Sequence, residues 1–256
     1  MSIVFLTALG VGCATVIGSL IGFFFKNISH RFSDIILSFA AGVMLCAAVF
    51  GLILPSLEYG EGNPFAIVVT IAGIFCGAFI LNILDKIVPH LHRLSGADIE
   101  AHPENTEKLN KVLLFVIAIA IHNLPEGIAA GVGFGTGNTA EALTIASGIA
   151  LQNIPEGMVI IAPMLAAGLS RKHTLFAATM TGVIEVVGTF IGYFAVSVSN
   201  AVLPFALAFA GGTMLYVISD EMIPETHSHG DGCERWATYA LLVGFSVMLV
   251  MDFFLG

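Results

Sequence analysis

IAIAIHNLPEGIAAGVGFG (residues 117–135) and SGIALQNIPEGMVII (residues 147–161) decide how this chain folds. Each is an apolar run with helical character, broken by one polar motif. The first carries His122-Asn123-Leu124-Pro125-Glu126-Gly127, and thirty residues later the second carries Gln152-Asn153-Ile154-Pro155-Glu156-Gly157. A charged side chain at the centre of a membrane helix costs at least ~2.5 kcal/mol on insertion scales. A motif that puts Glu126 and Glu156 in such runs, each beside a second ligand-type side chain, points to a cation that offsets the cost.

The rest of the chain has the composition this reading needs. Over 256 residues it is 57% hydrophobic and 11% charged, with mean hydropathy +0.96, outside the range of soluble domains. Apolar runs near or above the ~20 residues that cross a bilayer fall at 3–25, 33–57, 64–88, 111–135, 139–168, 173–198, 201–224 and 236–255. The expectation is an all-α integral membrane protein of eight transmembrane helices. Residues 1–256 read as a single transmembrane domain, with a cytoplasmic loop rich in His and acidic residues at 89–110. The basic residues lie between runs 1 and 2 (Lys26, Arg31), around the 3–4 loop (Lys86, Arg93, Lys108, Lys111), between 5 and 6 (Arg171, Lys172) and between 7 and 8 (Arg235). Cytoplasmic loops retain Lys and Arg, so these loops face inward and both termini lie on the outer face of a cell (inner) membrane. No basic residue precedes the first run, so it reads as a retained span and not a cleaved signal. A net charge of −9 with scattered basic residues excludes a nucleic-acid partner. The partners expected are the bilayer and divalent metal ions. Cys13, Cys46, Cys76 and Cys233 show no C-x-x-C pairing and read as packed thiols.

His122 and Glu126 are spaced i, i+4, as are Gln152 and Glu156, so each pair projects from one helix face. Pro125 and Pro155 lack an N–H and release the carbonyls of Ile121 and Leu151. Counting ~1.5 Å per residue from the ends of the runs puts His122, Gln152, Glu185 and Met44 at similar, mid-membrane depth. The short connection between runs 4 and 5 makes them antiparallel neighbours whose motifs can face each other. Imidazole, thioether and carboxylate together suit a borderline transition cation, whereas Mg²⁺ or Ca²⁺ would be held by oxygen alone.

These residues resemble the ZIP (Zrt-, Irt-like protein) family of divalent metal transporters, in its prokaryotic branch. The resemblance covers the whole chain. It rests on HNLPEG and QNIPEG, on GVIEVVG around Glu185, on AAGVMLCAAVF (residues 40–50) and on GGTMLYVISDEMIPE (residues 211–225). It implies that Met44, His122, Glu126, Gln152 and Glu156 are ligands of a primary metal position. It further implies that Asn123, Glu126, Asn153, Glu156 and Glu185 form an adjacent second position sharing the two glutamates. Gln152 stands where many members have His, and Asn153 where some carry an acid, so the second position is held mainly by glutamates. The resemblance also implies that helices 1–3 and 6–8 are inverted repeats around helices 4 and 5, and that helices 1, 4, 5 and 6 slide as an elevator against helices 2, 3, 7 and 8. Assembly as a homodimer stays open.

Asp34 and Glu58 are candidates for the outer mouth. His90, His92, Asp220, Glu221, His227 and His229 are candidates for an exit or regulatory surface on the cytoplasmic side. The resulting expectation is uptake of a divalent transition metal, zinc first and also cadmium, iron or manganese, from outside into the cytoplasm. The metal is cargo, and no catalytic cofactor is expected. A metal-selective channel, a proton-coupled exporter and an intramembrane metallohydrolase are the alternatives. The hydrolase reading lacks the second His of H-E-x-x-H and leaves no glutamate over to act as a base.

Overall fold

The computed structural model describes residues 1–24, 29–59, 64–87, 120–166, 169–198, 200–228 and 234–255. All of its regular structure is helical. We number the helices α1 (Ser2–Phe24), α2 (His30–Cys46, continuing through Ala47–Ile53 and Leu54–Glu58), α3 (Ala66–Ile87), α4 (residues 120–133), α5 (Thr139–Ala166), α6 (Arg171–Val198), α7 (Leu203–Val217, continuing through Ile218–Met222 and Ile223–His227) and α8 (Glu234–Leu255). Seven of these, all but α4, are long and apolar enough to cross a membrane among the described residues. The described part of α4 extends only about 20 Å at ~1.5 Å per residue. Residues 88–119, which include the expected 89–110 loop, lie outside the described set.

Burial is inverted relative to a water-soluble protein. Phe75 and Phe79 of α3 are 71% and 64% exposed, while Gln152, Asn153 and Glu185 are 0% exposed. The outward apolar surface is what lipid solvates, and the polar groups are enclosed because lipid offers them no hydrogen bonds. The chain is therefore a multi-pass integral membrane protein.

Glycine sets how the helices approach. A side chain on Gly18 or Gly22 of α1 would collide with the α5 backbone at Ile154 and Met158, and one on Gly188 or Gly192 of α6 would collide with α4 at Leu124 and Ile128. The last residue of each polar motif behaves alike: Gly127 lies on the Glu185 carbonyl in α6, and Gly157 on the Thr15 carbonyl in α1. Without a hydrophobic force between helices in lipid, such close backbone contact is what binds them. Elsewhere α2 packs along α8, where Gly42 meets Leu241 and Gly244 meets Phe39. In the same manner α3 packs along α7, where Gly77 meets Phe209 and Gly212 meets Ile74. Between these groups lies an apolar cluster including Met44, Leu52, Ile149, Leu207, Met214 and Met248.

Two helices widen at a defined point. Ala47–Ile53 of α2 and Ile218–Met222 of α7 are π-helical, and each stretch runs directly into a segment whose second residue is proline, Pro55 and Pro224. The amide of Leu54 reaches back to the Val49 carbonyl and that of Ile223 to Ile218, five residues in each case. Proline removes one N–H and crowds the carbonyl four residues earlier; the wider turn accommodates both without ending the helix. Single π turns are frequent at functional positions.

Candidate metal site

The polar motifs are carried by unbroken helix. Residues 120–133 stay helical through Pro125, and Thr139–Ala166 through Pro155, so the side chains of each motif hold the i, i+4 spacing that puts them on one face. A short turn over Phe134–Thr136 joins α4 to α5, closed by Gly137 at φ 78°. That left-handed backbone suits glycine and fixes the two motif helices as an adjacent antiparallel pair.

Glu126 is 1% exposed, and its Oε1 accepts a hydrogen bond from Gln152 Nε2 at 2.9 Å. The two motifs therefore meet directly. Asn153 Nδ2 donates to Glu185 Oε1 at 2.6 Å and to the Val11 carbonyl of α1 at 3.3 Å. Thr15 of α1 directs its hydroxyl at Glu185 Oε2, at 3.5 Å. Glu156 and Glu185 both lie within electrostatic reach of Glu126, and His122 within reach of Glu156. Asn123 is 2% exposed beside them. Three carboxylates, three amides and an imidazole thus gather where four helices meet.

This arrangement leaves acceptors unused. Glu126 Oε2, Gln152 Oε1 and Asn153 Oδ1 are buried with no hydrogen-bond donor among the described residues. A buried polar atom left unsatisfied costs roughly 1–3 kcal/mol, and here three fall within two bonded pairs. Oxygen acceptors without donors are what a cation satisfies. No three His, Cys, Asp or Glu side chains among the described residues converge closely enough to hold an ion by themselves, so a ligand set here has to draw on the amides of Gln152 and Asn153. Met44, 1% exposed, sits in the apolar cluster where α2 meets α4, α5 and α7.

The outlying candidates separate. Asp34 and Glu58 stand at opposite ends of α2, about 36 Å apart at ~1.5 Å per residue. They cannot line one mouth, which corrects their joint assignment. Asp34 is buried at 4% whereas Glu58 is exposed. His227 is not a free ligand either: Nδ1 contacts the Ile223 carbonyl at 2.9 Å and Nε2 contacts Thr238 Oγ1 at 3.2 Å, which ties the end of α7 to α8. Asp220 is exposed. His90, His92 and His229 lie outside the described residues.

Sequence reasoning kept His122 and Glu221 apart, one in the membrane site and one at the exit. The fold joins them, His122 Nε2 to Glu221 Oε1 at 2.9 Å, with side chains 19% and 15% exposed. Sequence reasoning gave α1 no residue of the site. Its contribution comes from Thr15 and a main-chain carbonyl, and nothing in the sequence marks Thr15 apart from the other hydroxyls of this helix.

The chain is similar to known proteins along most of its length. A family model described as ZIP zinc transporter matches residues 92–252. The zinc transporter GufA of Myxococcus xanthus is 42% identical over 211 residues, 81% of this chain and 81% of its own length. The zinc transporter ZIPB of Bordetella bronchiseptica is 38% identical across 95% of this chain and 78% of its own. The zinc transporter ZupT of Chlorobium chlorochromatii is 34% identical across 96% and 95%.

Proposed function

The chain belongs to the ZIP family of zinc transporters, a family of transporters and not of enzymes, and from that premise we propose that it carries Zn²⁺ from outside the cell into the cytoplasm. The observation that carries the reading is the set of three buried, donorless oxygens on Glu126, Gln152 and Asn153. Zn²⁺ enters there at Glu126 and Gln152, and Glu156, His122 and, from α2, the soft ligand Met44 close on it as it binds. Asn123, Asn153 and Glu185 complete an adjacent position. A site of this kind, lacking thiolates, binds its ion loosely enough to let it go, and the same donors accept cadmium, iron or manganese because affinity follows the metal series and selectivity follows geometry.

The cycle is an elevator. Glycine contacts that seat α1 on α5, and α6 on α4, support treating α1, α4, α5 and α6 as one carrier. The paired contacts of α2 with α8 and of α3 with α7 support a separate frame. The same contacts support an inverted repeat, since Gly18 and Gly22 meet Ile154 and Met158 with the spacing at which Gly188 and Gly192 meet Leu124 and Ile128. Inverted repeats around a midplane site suit alternating access. In this frame both termini face outward, Glu58 marks the outer mouth and Glu221 the inner exit, within the inner membrane.

The test is uptake of radioactive zinc into proteoliposomes by the wild type and by Glu156→Gln. Uptake by the wild type and none by the variant is expected. Zinc bound by both without flux would refute transport through this site.

A further inference from the structure

α1 takes part in the site, and its geometry is more specific than packing requires. Most threonines of the other helices fold back on their own backbone, Thr70 of α3, which pairs with the Ser56 hydroxyl at 2.8 Å, being an exception. Thr144 donates to the Ala140 carbonyl, Thr174 to Ser170, Thr179 to Leu175 and Thr189 to Glu185, each four residues earlier. This is the usual habit of a hydroxyl in a membrane helix. Thr15 departs from it. Its hydroxyl is turned across the interface to Glu185 Oε2, while the carbonyl of Val11, four residues earlier, accepts from Asn153 Nδ2 instead.

The backbone explains why Thr15 is the residue placed there. Gly12 of α1 and Gly182 of α6 cross so closely that each stands on the other's carbonyl, and three residues further along each helix come Thr15 and Glu185. Each motif glycine then rests on one of these two residues: Gly127 of the first motif on the Glu185 carbonyl, Gly157 of the second on the Thr15 carbonyl. Thr15 thus stands to the second motif as Glu185 stands to the first. Of the two equivalent places, one supplies a carboxylate and the other a hydroxyl that reaches it. Thr15 is 1% exposed and Glu185 0%, so water does not compete for the contact.

We propose that Thr15 is a positioning residue of the metal site. Asn153 of α5 holds Oε1 of Glu185 at 2.6 Å, and the Thr15 hydroxyl of α1 faces Oε2 at 3.5 Å, so a neutral donor is directed at each oxygen. The carboxylate keeps one orientation toward Glu126 while the carrier helices move together. Thr15 touches no metal and acts only through Glu185. The inference rests on the metal-site reading above.

The experiment is zinc-dependent uptake by reconstituted protein carrying Thr15→Val, which keeps the shape and removes the hydroxyl, Thr15→Ser, which keeps the hydroxyl, and Thr15→Ala, with Glu126→Gln in the same series. The expected result is a three- to tenfold rise in KM for Thr15→Val and Thr15→Ala with Vmax within twofold of wild type, and both constants within twofold for Thr15→Ser. Equal behaviour of the Val and Ser variants, whether both weakened or both unchanged, overturns the proposal. So does a fall in Vmax at constant KM. If Glu126→Gln loses uptake while Thr15→Val is unaffected, only the role of Thr15 fails; if Glu126→Gln transports normally, the metal-site reading itself fails.

Discussion

Replacing Glu221 by Gln should tighten zinc binding and slow its release. Nε2 of His122 now meets Glu221 Oε1 at 2.9 Å, so an ion that takes this nitrogen as its ligand has to displace that carboxylate. A hydrogen bond to a charged group contributes ~1.5–3 kcal/mol and a neutral one ~0.5–1.5 kcal/mol. The side chains are 19% and 15% exposed, and partial contact with water reduces the difference to about 1 kcal/mol. That corresponds to roughly a fivefold change in affinity. Glu221→Gln should therefore lower KM about fivefold. It should also lower Vmax, because the carboxylate that reclaims His122 as the ion departs is gone. Initial rates of zinc entering proteoliposomes, followed with an internal fluorescent indicator over a range of external zinc, give both constants. A KM that is unchanged or higher would refute competition between Glu221 and the metal for His122.

Three further outcomes follow from the same geometry. Gly157→Val drives a side chain into the Thr15 carbonyl and Ser19 amide and should destabilise the fold by about 1–3 kcal/mol, seen as earlier thermal aggregation in detergent; Gly10→Ala, with open space around it, should be neutral. Zinc ligands must be deprotonated, so KM should rise as the external and internal pH are lowered together from neutral to mildly acid; a KM independent of pH would count against Glu126, Glu156 and His122. Gln152→His exchanges the amide donor on Glu126 Oε1 for an imidazole that can also ligate. Uptake should persist with a shifted preference between zinc and cadmium, measured by competition.

How much of this was legible in the sequence differs by kind of residue. A carboxylate inside an apolar helix announces itself, because its desolvation demands a partner, and for that reason the sequence singles out Glu126, Glu156 and Glu185, which the fold brings near one another. The seven spans among the described residues were legible from hydropathy to within a few residues, since lipid leaves the backbone no alternative to internal hydrogen bonding. What α1 supplies was hidden. A main-chain carbonyl such as Val11 has no signature in the sequence, and a threonine is ordinarily satisfied within its own helix, so only the crossing of α1 and α6 reveals where Thr15 points. Asp34 and Glu58 were grouped by charge alone, although the length of α2 between them already separates them.

The π-helical turns of α2 and α7 bear on direction. They are alike in construction, each relieving a proline that follows, and they lie at opposite ends of the molecule if the two helices run antiparallel as their order implies. Their contents differ. The turn in α2 is Ala47–Ile53, wholly apolar, with Ala47, Ala48, Gly51 and Leu52 buried. The turn in α7 is Ile218–Met222 and holds Asp220 and Glu221. One wide turn is therefore without polar side chains, and the other carries carboxylates, one of them already in contact with His122 of the site. Of the two turns, only that of α7 offers a departing ion a side-chain ligand. That asymmetry, imposed on two otherwise matching devices, supports release toward the α7 end and so the inward direction proposed for transport.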